Sequence, residues 1–330
     1  MKTTLICSLF IAIFLYNCTT QNNDVKTVVC DLKDNLIFRN HDIYSVSDYI
    51  YDFNDNLLVV DKADCYVKKF DKNNNLIGTI GFGKGNGPGE FIYPKKIEVD
   101  SLGHIYILDV ARKKMDVFFN TDLVNTIYFY FIPAEIIVRK PLEFFVIGFP
   151  NTYEGSLIYK YNLNLSNKPI LKFCKREYGP YSKDSTIINM AGNSGRLLLD
   201  KQGNIIFSSF FPYIVRKYSP NGVLLSKLFR KVDYFKPPKK NNDNHIRFDS
   251  GNFGLVNYGK NRIINVSKDL SDNKYYFDII DNSSNKMNIV KTYVVQSNKK
   301  MNDFLSFKND KILFSTFDST FTINELELCL

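Results

Sequence analysis

Short apolar stretches alternate with polar turns along most of the chain, and no long segment keeps a helical apolar period. The clear units consist of an apolar stretch, a turn rich in Asp, Asn and Gly, a second apolar stretch, and a third that ends in an aromatic residue. Such spacing indicates β-hairpins rather than helices. Clear copies occupy residues 50–70, 97–118 and 197–218, and weaker copies lie around 143–147, 262–266 and 309–315.

The six copies can be aligned on one hydrophobic position each. In chain order these positions are 48, 40, 60, 58 and 49 residues apart, and they are Leu57, Ile105, Phe145, Ile205, Ile263 and Ile312. Units of about 40–50 residues with four strands each are typical of propeller blades, and the two longer spacings indicate insertions. A single blade cannot bury both of its faces, so blades stack on their neighbours. The pattern predicts an all-β fold, a six-bladed β-propeller of four-stranded antiparallel blades.

The two ends of the chain predict how the ring closes. Only one clear strand, at 321–328, follows the sixth aligned position, which leaves the last blade one strand short. The N-terminal segment 25–30 is apolar enough to supply the missing outer strand and to cover an exposed edge. Cys30 and Cys329 would then lie on adjacent strands. A disulfide between them and two buried thiols are both open interpretations.

The amino-acid composition favours β-strands, and the distribution of charge argues against a nucleic-acid partner. The 330 residues include 28 Phe and 21 Tyr but no Trp, and aromatic side chains favour the pleated surface of a sheet. The formal net charge is +9, but the basic residues are spread through the chain. A nucleic-acid site requires a basic face with stacking aromatics or a recognition helix. Neither is evident, so we expect no nucleic-acid partner.

The N-terminal segment has the layout of an export signal. Lys2 precedes an apolar run at 5–16, which is short for a membrane span and typical of a secretory signal peptide. Leu15 lies three residues before Cys18, which resembles the lipobox of bacterial lipoproteins, although Asn17 departs from the small residue usual there. The alternative is ordinary cleavage nearby with an unmodified Cys18.

These features predict three segments: a signal peptide at 1–17, a lipidated Cys18 with a polar tether at 18–26, and a propeller at 27–330. Two acyl chains on one cysteine hold a protein stably at a membrane. We therefore expect an exported protein anchored by lipid to the bacterial membrane, in the outer membrane and facing the periplasm or the surface.

A glycine-rich run between the first two clear repeats carries a family resemblance. It reads Gly-Phe-Gly-Lys-Gly-Asn-Gly-Pro-Gly-Glu-Phe at 81–91, and Pro94, Ile97 and Asp100 follow it. On these residues the chain resembles the six-bladed, NHL-like β-propeller lipoproteins of Bacteroides and relatives, in which such a run joins one blade to the next. The resemblance implies the fold and an envelope location and supplies no catalytic motif. A phosphate-binding loop is disfavoured, because no Lys-Ser or Lys-Thr pair follows the glycines.

Signals for catalysis are few. His41, His104 and His245 show no zinc-binding spacing, and no Gly-x-Ser-x-Gly motif is present. Some NHL-like propellers are enzymes with a metal in the central channel, so the resemblance leaves a metal-dependent hydrolase or lyase as the alternative function. Asp and Asn are numerous enough to provide oxygen ligands for Ca²⁺, but their regular positions fit turns better. We predict no catalytic residue and no cofactor, with Ca²⁺ as the one candidate metal.

Two long insertions, at 176–189 and 232–252, are the candidates for recognition, because long loops on rigid scaffolds commonly bind ligands. The candidate ligand-binding residues are Tyr178, Tyr181, Tyr234, Phe235, Lys239, Lys240 and His245. Solvated loops without a partner are an equally open interpretation. The expected function is that of a monomeric envelope lipoprotein whose propeller is a binding platform for protein, peptide or glycan ligands.

Overall fold

The computed structural model describes residues 18–21, 25–149, 155–177, 194–236, 238–240, 246–284, 286–307, 311–318 and 320–328. These ranges contain β-strands joined by turns and loops, and no helix occurs within them. Accordingly, none of the described segments is a helix long and apolar enough to cross a membrane.

Three strands precede the first blade in sequence: β1 (Cys18–Gln21), β2 (Thr27–Asp31) and β3 (Lys33–Asn40). Blade 1 contains β4 (Val46–Tyr51), β5 (Leu57–Asp61), β6 (Tyr66–Phe70) and β7 (Leu76–Ile80). Blade 2 contains β8 (Pro94–Val99), β9 (His104–Asp109), β10 (Lys114–Phe119) and β11 (Asp122–Tyr128). Blade 3 contains β12 (Ile132–Lys140), β13 (Glu143–Phe149), β14 (Ser156–Asn162) and β15 (Ser166–Lys175).

Blade 4 contains β16 (Gly195–Leu199), β17 (Ile205–Ser209), β18 (Ile214–Tyr218) and β19 (Leu224–Arg230). A small hairpin, β20 (Lys239–Lys240) with β21 (Ile246–Arg247), comes before blade 5. Blade 5 contains β22 (Ser250–Tyr258), β23 (Arg262–Asp269), β24 (Lys274–Asp281) and β25 (Asn288–Gln296). Blade 6 contains β26 (Asn302–Phe307), β27 (Lys311–Asp318), β28 (Thr320–Glu327) and the N-terminal β3.

The blades form a closed ring around a central channel. The first strands of successive blades, β4, β8, β12, β16, β22 and β26, contact one another in order, and β26 contacts β4. Six apolar clusters of described residues fill the six spaces between neighbouring blades. Aromatic pairs within the clusters include Phe144 stacked on Tyr161, with ring centroids 5.1 Å apart. Burial between blades is thus the main role of the Phe and Tyr side chains.

The repeat alignment is confirmed. All six aligned residues lie in the second strand of a blade and are buried. In five blades the aligned residue pairs with the last or next-to-last residue of the first strand, as in Leu57 with Tyr51 and Ile205 with Leu199, and in blade 3 Phe145 pairs with Ile137. The predicted six-bladed, all-β fold is therefore the observed one.

The strand that closes the ring differs from the expected segment. The last blade is indeed one strand short, but β3 completes it, antiparallel to β28 with Phe321 opposite Asn40. The segment expected to do so forms β2 instead, a fifth strand parallel to β25 on blade 5. The reason is chain order, because the outer strand of a blade is followed by the inner strand of the next blade, and β3 is the strand that directly precedes β4, with five residues between them.

The structure also places the start of the N-terminal segment and Cys30. Cys18–Gln21, at the start of the segment assigned as a tether, forms β1 and pairs in parallel with β19 of blade 4. Cys30 lies on β2 and faces the core between blades 5 and 6, so the expectation that it lies on a strand adjacent to β28 is wrong. Cys30 is disulfide-bonded. Cys329 lies outside the described residues, so the pairing of the two stays a prediction.

The glycine-rich run 81–91 is an interblade connector between β7 and β8. Gly83 has a φ of +88°, and a Cβ there would lie 2.8 Å from the Tyr66 hydroxyl, so only glycine fits. The buried Lys114 donates to the Gly87 carbonyl, and Asp116 accepts from the Gly89 amide. These bonds fix the connector as part of the scaffold.

Candidate functional site at the mouth of the central channel

The two ends of the channel are chemically distinct. We call the end where the inner strands begin the mouth, and the opposite end, where each inner strand turns into the second strand, the turn end. A cavity of about 300 Å³ lies inside the channel and is walled by all six inner strands. Its deeper walls are largely apolar, and its charged residues lie mainly near the mouth.

Five charged side chains from five blades meet at the mouth, and we call them the charged arc. They are Asp48, Lys96, Glu135, Arg196 and Asp303. Lys96 Nζ lies 3.0 Å from Asp48 Oδ1 and 3.3 Å from Glu135 Oε1. Arg196 Nη1 lies 3.2 Å from Glu135 Oε2, and its Nη2 lies 3.2 Å from Asp303 Oδ1. Acids and bases therefore alternate across the blades, with each carboxylate paired to a base.

Blade 5 contributes a glycine to the arc instead of a charge. A Cβ on Gly254 would lie 2.6 Å from the Phe304 ring, so the absence of a side chain there makes room for that ring. Arg196 bridges this position: its Nε donates to the Phe253 carbonyl at 3.1 Å while its outer nitrogens reach blades 3 and 6. One guanidinium thus links four blades.

A β-bulge precedes the arc position in four of the six inner strands, where the pairing with the second strand skips one residue between Val46 and Asp48, Pro94 and Lys96, Pro133 and Glu135, and Asn252 and Gly254. In β26 the irregularity lies between Asn302 and Leu305 and includes the arc residue Asp303 itself. A bulge leaves one residue unpaired and redirects the neighbouring side chains, a device common beside functional sites. The extra residues include Ser47, Lys95 and Phe253.

These three residues line a second cavity beside the arc, which we call the mouth pocket. Its volume is about 340 Å³, and it shares Arg196 and Asp303 with the channel cavity. Its walls are Val46, Ser47, Lys62, Tyr93, Lys95, Arg196, Phe253, Lys300, Asn302, Asp303, Ser315, Phe317 and Phe321. The two cavities adjoin at these shared residues, and both are of a size that small ligands occupy.

Burial and neighbouring charges shift the pKa values of the acids at the mouth. Burial raises the pKa of Asp48 to about 6, against the lowering effect of Lys96 and with support from Asp303 and Glu135. Deeper in the channel, burial raises the pKa of Glu98 well above its usual range. The balance of charge at the mouth therefore depends on pH near neutrality.

Lys95 differs from the adjacent Lys96. Burial lowers the pKa of Lys95, Glu135 opposes this, and Arg196 and Lys96 add to the lowering. In Lys96 the carboxylates of Asp48 and Glu135 outweigh burial and raise the pKa. Lys96 is thus paired, whereas its neighbour Lys95 makes no ion pair among the described residues.

The residues predicted to bind ligand are only partly brought together. Tyr178, Tyr181 and His245 lie outside the described residues, and so does the side chain of Lys240. Phe235 is only 4 % exposed and stacks on Phe211, with centroids 5.5 Å apart. Tyr234 stacks on Tyr276 at 3.6 Å, and its hydroxyl meets Ser267. Both aromatics therefore hold the insertion against blades 4 and 5.

Lys239 remains accessible. Its side chain is 69 % exposed and its Nζ lies 3.2 Å from Asp249, which also binds Arg247. The insertion lies between β19 and β22, so it joins blade 4 to blade 5 at the mouth end. The binding role of this loop stays a prediction.

Within the described residues, no group of three or more His, Cys, Asp and Glu side chains is placed to hold a metal ion. The Asp residues of the hairpin turns bind backbone amides, as in the bonds from Leu102 and His104 to Asp100. His104 itself bonds to the same carboxylate through Nδ1 at 2.9 Å. Cys65 and Cys174 are free and buried.

Sequence reasoning missed the charged arc, although the repeat alignment contains a signal for it. The arc residue lies nine positions before the aligned hydrophobic residue in blades 1, 2, 4 and 6, and ten positions before it in blade 3. Gly254 occupies the same position, nine before Ile263, in blade 5. A column that is charged in five of six repeats stands out only when the repeats are aligned.

Comparisons with known proteins agree with this architecture. Residues 40–220, more than half of the chain, match the model of the DUF5128 family, which is described as a 6-bladed beta-propeller. The chain belongs to this family. The resemblance to six-bladed propellers seen in the sequence is thereby confirmed. No curated protein matches the chain.

Solved structures share the fold at low sequence identity. A Bacteroides fragilis protein assigned as exported has a TM-score of 0.62 and 14 % identity, with 95 % of this chain and 99 % of that chain covered. A Bacteroides vulgatus member of the DUF4221 family has a TM-score of 0.61 and 11 % identity, covering 91 % and 99 %. Virginiamycin B lyase from Staphylococcus aureus has a TM-score of 0.54 and 9 % identity, covering 91 % and 99 %. At these identities the likeness shows the fold alone.

Proposed function

We propose that this protein is an exported, lipid-anchored binding protein that holds its ligand at the mouth of the central channel. The expected ligand classes are those of the envelope: glycan, peptide or protein. The observation that carries the proposal is the convergence of five charged side chains from five blades, each next to a cavity open enough for a small ligand.

The bulges support a binding role over a purely structural one. A regular inner strand would pair every residue with the second strand and present no extra side chain. Four inner strands instead insert one residue directly before the arc position, and three of those residues line the mouth pocket. Strain and irregularity at one end of a regular scaffold are typical of binding sites.

The proposed site consists mainly of residues outside the two insertions that the sequence suggested. The arc is built from the starts of inner strands, and the mouth pocket adds residues of the neighbouring connectors and of β27 and β28, whereas the insertion at 232–252 lies beside them. A rigid wall with an adjacent loop is a common arrangement for recognition, because the scaffold positions the ligand and the loop adds selectivity.

A variant that fills the mouth tests the location of the site. Ligands are first sought by thermal shift with libraries of sugars, peptides and small acids, and hits are measured by calorimetry. Ser47→Trp places a large side chain in the mouth pocket, and we expect it to weaken binding of any hit at least tenfold. Leu102→Trp, at an exposed position of the turn end, is the matched control and should leave binding unchanged.

The result that contradicts the location is a hit that binds Ser47→Trp as well as the unmodified protein. Both variants must first show a cooperative melt, so that loss of binding is not loss of fold. A hit weakened only by Leu102→Trp would move the site to the turn end.

Lipid anchoring is tested separately through Cys18. In a bacterium with lipoprotein processing, the protein should incorporate an alkyne-labelled fatty acid and sediment with membranes, and Cys18→Ser should lose both properties. An unmodified, soluble protein cleaved near residue 18 would instead support ordinary signal cleavage. Equal labelling of both proteins would place the lipid elsewhere.

A further inference from the structure

The mouth pocket carries an excess of positive charge. Its cationic side chains are Lys62, Lys95, Arg196 and Lys300, and its one carboxylate is Asp303. That carboxylate is already paired with Arg196 at 3.2 Å. Within the described part of the chain, Lys62, Lys95 and Lys300 make no ion pair. Three ammonium groups therefore face one small cavity without a paired anion.

The acids of the neighbouring arc compensate for this charge only in part, because each already pairs with a base of the arc. Asp48 and Glu135 are bound by Lys96, and Glu135 and Asp303 are bound by Arg196. Lys95 is the extra residue of the bulge in β8, and it lines the mouth pocket together with Arg196 and Asp303. Burial lowers the pKa of Lys95, and the nearby charges of Glu135 and Asp303 do not offset this effect.

Aromatic side chains border the same cavity. Tyr93 is 43 % exposed and Phe317 is 44 % exposed, although both are large apolar groups, and Phe253 is half-buried between them and the arc. The Lys62 ammonium lies 5.6 Å from the centre of the Tyr93 ring. Exposed aromatic faces beside unpaired cations suit a ligand that is both flat and negatively charged.

The size of the cavity limits the ligand. A volume of about 340 Å³ lies at the small end of the range for ligand pockets. The occupant is therefore a compound, or the end of a longer chain, with roughly one ring inside the pocket. The carboxylate would take charge-assisted hydrogen bonds, which are about twice as strong as neutral ones.

We propose that the mouth pocket binds a ring-bearing organic carboxylate, with the carboxylate on Lys95 and the ring against the exposed aromatic side chains. This inference rests on the proposed function and names the ligand chemistry of that site. Sugar acids and aromatic acids share this chemistry, so both are included in the test as separate arms.

The test compares ligands matched in shape and different in charge. Calorimetry measures galacturonate, galactose and galactosamine in one arm, and benzoate, benzyl alcohol and benzylamine in the other. We expect the acid in at least one arm to bind at least tenfold more tightly than its neutral and amine counterparts. Binding of the acid should weaken as sodium chloride is raised, because exposed charges are screened.

Lysine variants test whether the anion binds in the mouth pocket. Lys95→Met removes the charge and keeps the aliphatic stem, and it should weaken the acid at least tenfold. Lys72→Met makes the same change in net charge at an exposed turn of blade 1 and should stay within twofold of the unmodified protein. Lys300→Met, at an exposed position of the pocket, serves if Lys95→Met fails to melt cooperatively.

Three results would overturn the inference. They are equal binding of acid and neutral compounds, preference for the amine, which would point to Asp303 as the anchor, and equal weakening by Lys95→Met and Lys72→Met. Each is distinct from failure of the proposed function. If a neutral or amine ligand binds the unmodified protein but not Ser47→Trp, the preference for an anion is disproved and the mouth remains the binding site.

Discussion

The two ends of the central channel follow opposite plans. At the turn end, Asp52, Asp100 and Asp200 perform one task in three blades, each accepting hydrogen bonds from the backbone amides two and four residues further along. At the mouth, one equivalent position holds an aspartate, a lysine, a glutamate, an arginine, a glycine and a second aspartate. Equivalent positions thus carry the same residue in these three turns, whereas they carry different residues at the mouth.

This difference separates what the fold requires from what it permits. A turn that repeats the same carboxylate with the same bonds is explained by the geometry of a hairpin. Buried charges of alternating sign are not required by any single blade, because the cost of desolvating them is offset only when neighbouring blades supply the partner. The mouth is therefore where this chain departs from its own repeat, and such departures are expected at functional sites.

The largest expected effect comes from Arg196→Ala at the mouth. The guanidinium pairs with Glu135 and Asp303 and donates to the Phe253 carbonyl. The substitution therefore leaves two poorly hydrated carboxylates without this cationic partner. We expect the free energy of unfolding to fall by about 3 kcal/mol, measured by urea denaturation. Arg247→Ala is the control, since that side chain is 74 % exposed and, among the described residues, pairs with Asp249 alone. It should cost less than about 1 kcal/mol. Equal losses would show that the arc is no more stabilising than a surface pair.

The fold could be predicted from the sequence because burial between blades imposes one hydrophobic pattern on every repeat. Leu57 and Ile312 show this pattern at opposite ends of the chain. The closing strand was assigned to the wrong segment, because 25–30 and 33–40 both have strand character and only the short connector to β4 decides between them. The local hydrophobic pattern does not show which of the two segments is linked to β4 as the outer strand of the last blade.

The candidate site was largely invisible for a related reason. Asp48, Lys96 and Glu135 are each ordinary charged residues, and only the ring of blades brings them within ion-pair distance. Conversely, the aromatic residues Tyr234 and Phe235 looked available in a polar insertion, but they pack onto blades 4 and 5. Burial of a loop residue depends on partners that are distant in sequence.

A pH titration sharpens the comparison between the two ends. Asp48 has a pKa raised to about 6, whereas hydrogen bonds from Tyr106 and His104 outweigh burial and lower the pKa of Asp100. A raised carboxyl pKa means that the native state loses stability as pH rises from about 4 through 6, by up to about 3 kcal/mol for two pKa units. A lowered pKa means that stability is lost as pH falls below about 4.

Asp48→Asn keeps an acceptor for the Ile97 amide and cannot ionise. Relative to the unmodified protein, this variant should become more stable as pH rises from 4 to 7, with the difference levelling off above 7. Asp100→Asn should instead lack the part of the stability loss below pH 4 that protonation of Asp100 causes in the unmodified protein. Chemical denaturation at a series of pH values measures both, and a difference for Asp48→Asn that does not change with pH would contradict the assigned pKa.

Asp100→Ala tests the turn end directly. Its carboxylate accepts bonds from the amides of Leu102 and His104 and from the Tyr106 hydroxyl at 2.7 Å. Loss of these bonds to a charged acceptor should lower the free energy of unfolding by about 2 kcal/mol. The same change at Asp71, in an exposed outer hairpin with the same amide pattern, should have a smaller effect. Ligand binding should be unchanged in both, and a binding defect in Asp100→Ala would place function at the turn end.

The smallest expected effect separates backbone strain from packing in the same turn. Gly103 has a φ of +88°, and nothing lies within 4 Å of the position of an added Cβ. Gly103→Ala should therefore cost about 1 kcal/mol through the backbone alone. Gly78→Ala is the matched control, because it also has open space but no positive φ, and it should be neutral or slightly stabilising. If both variants melt alike, the glycine of the repeated turn is not required by its geometry, and the turn end would lose its purely structural explanation.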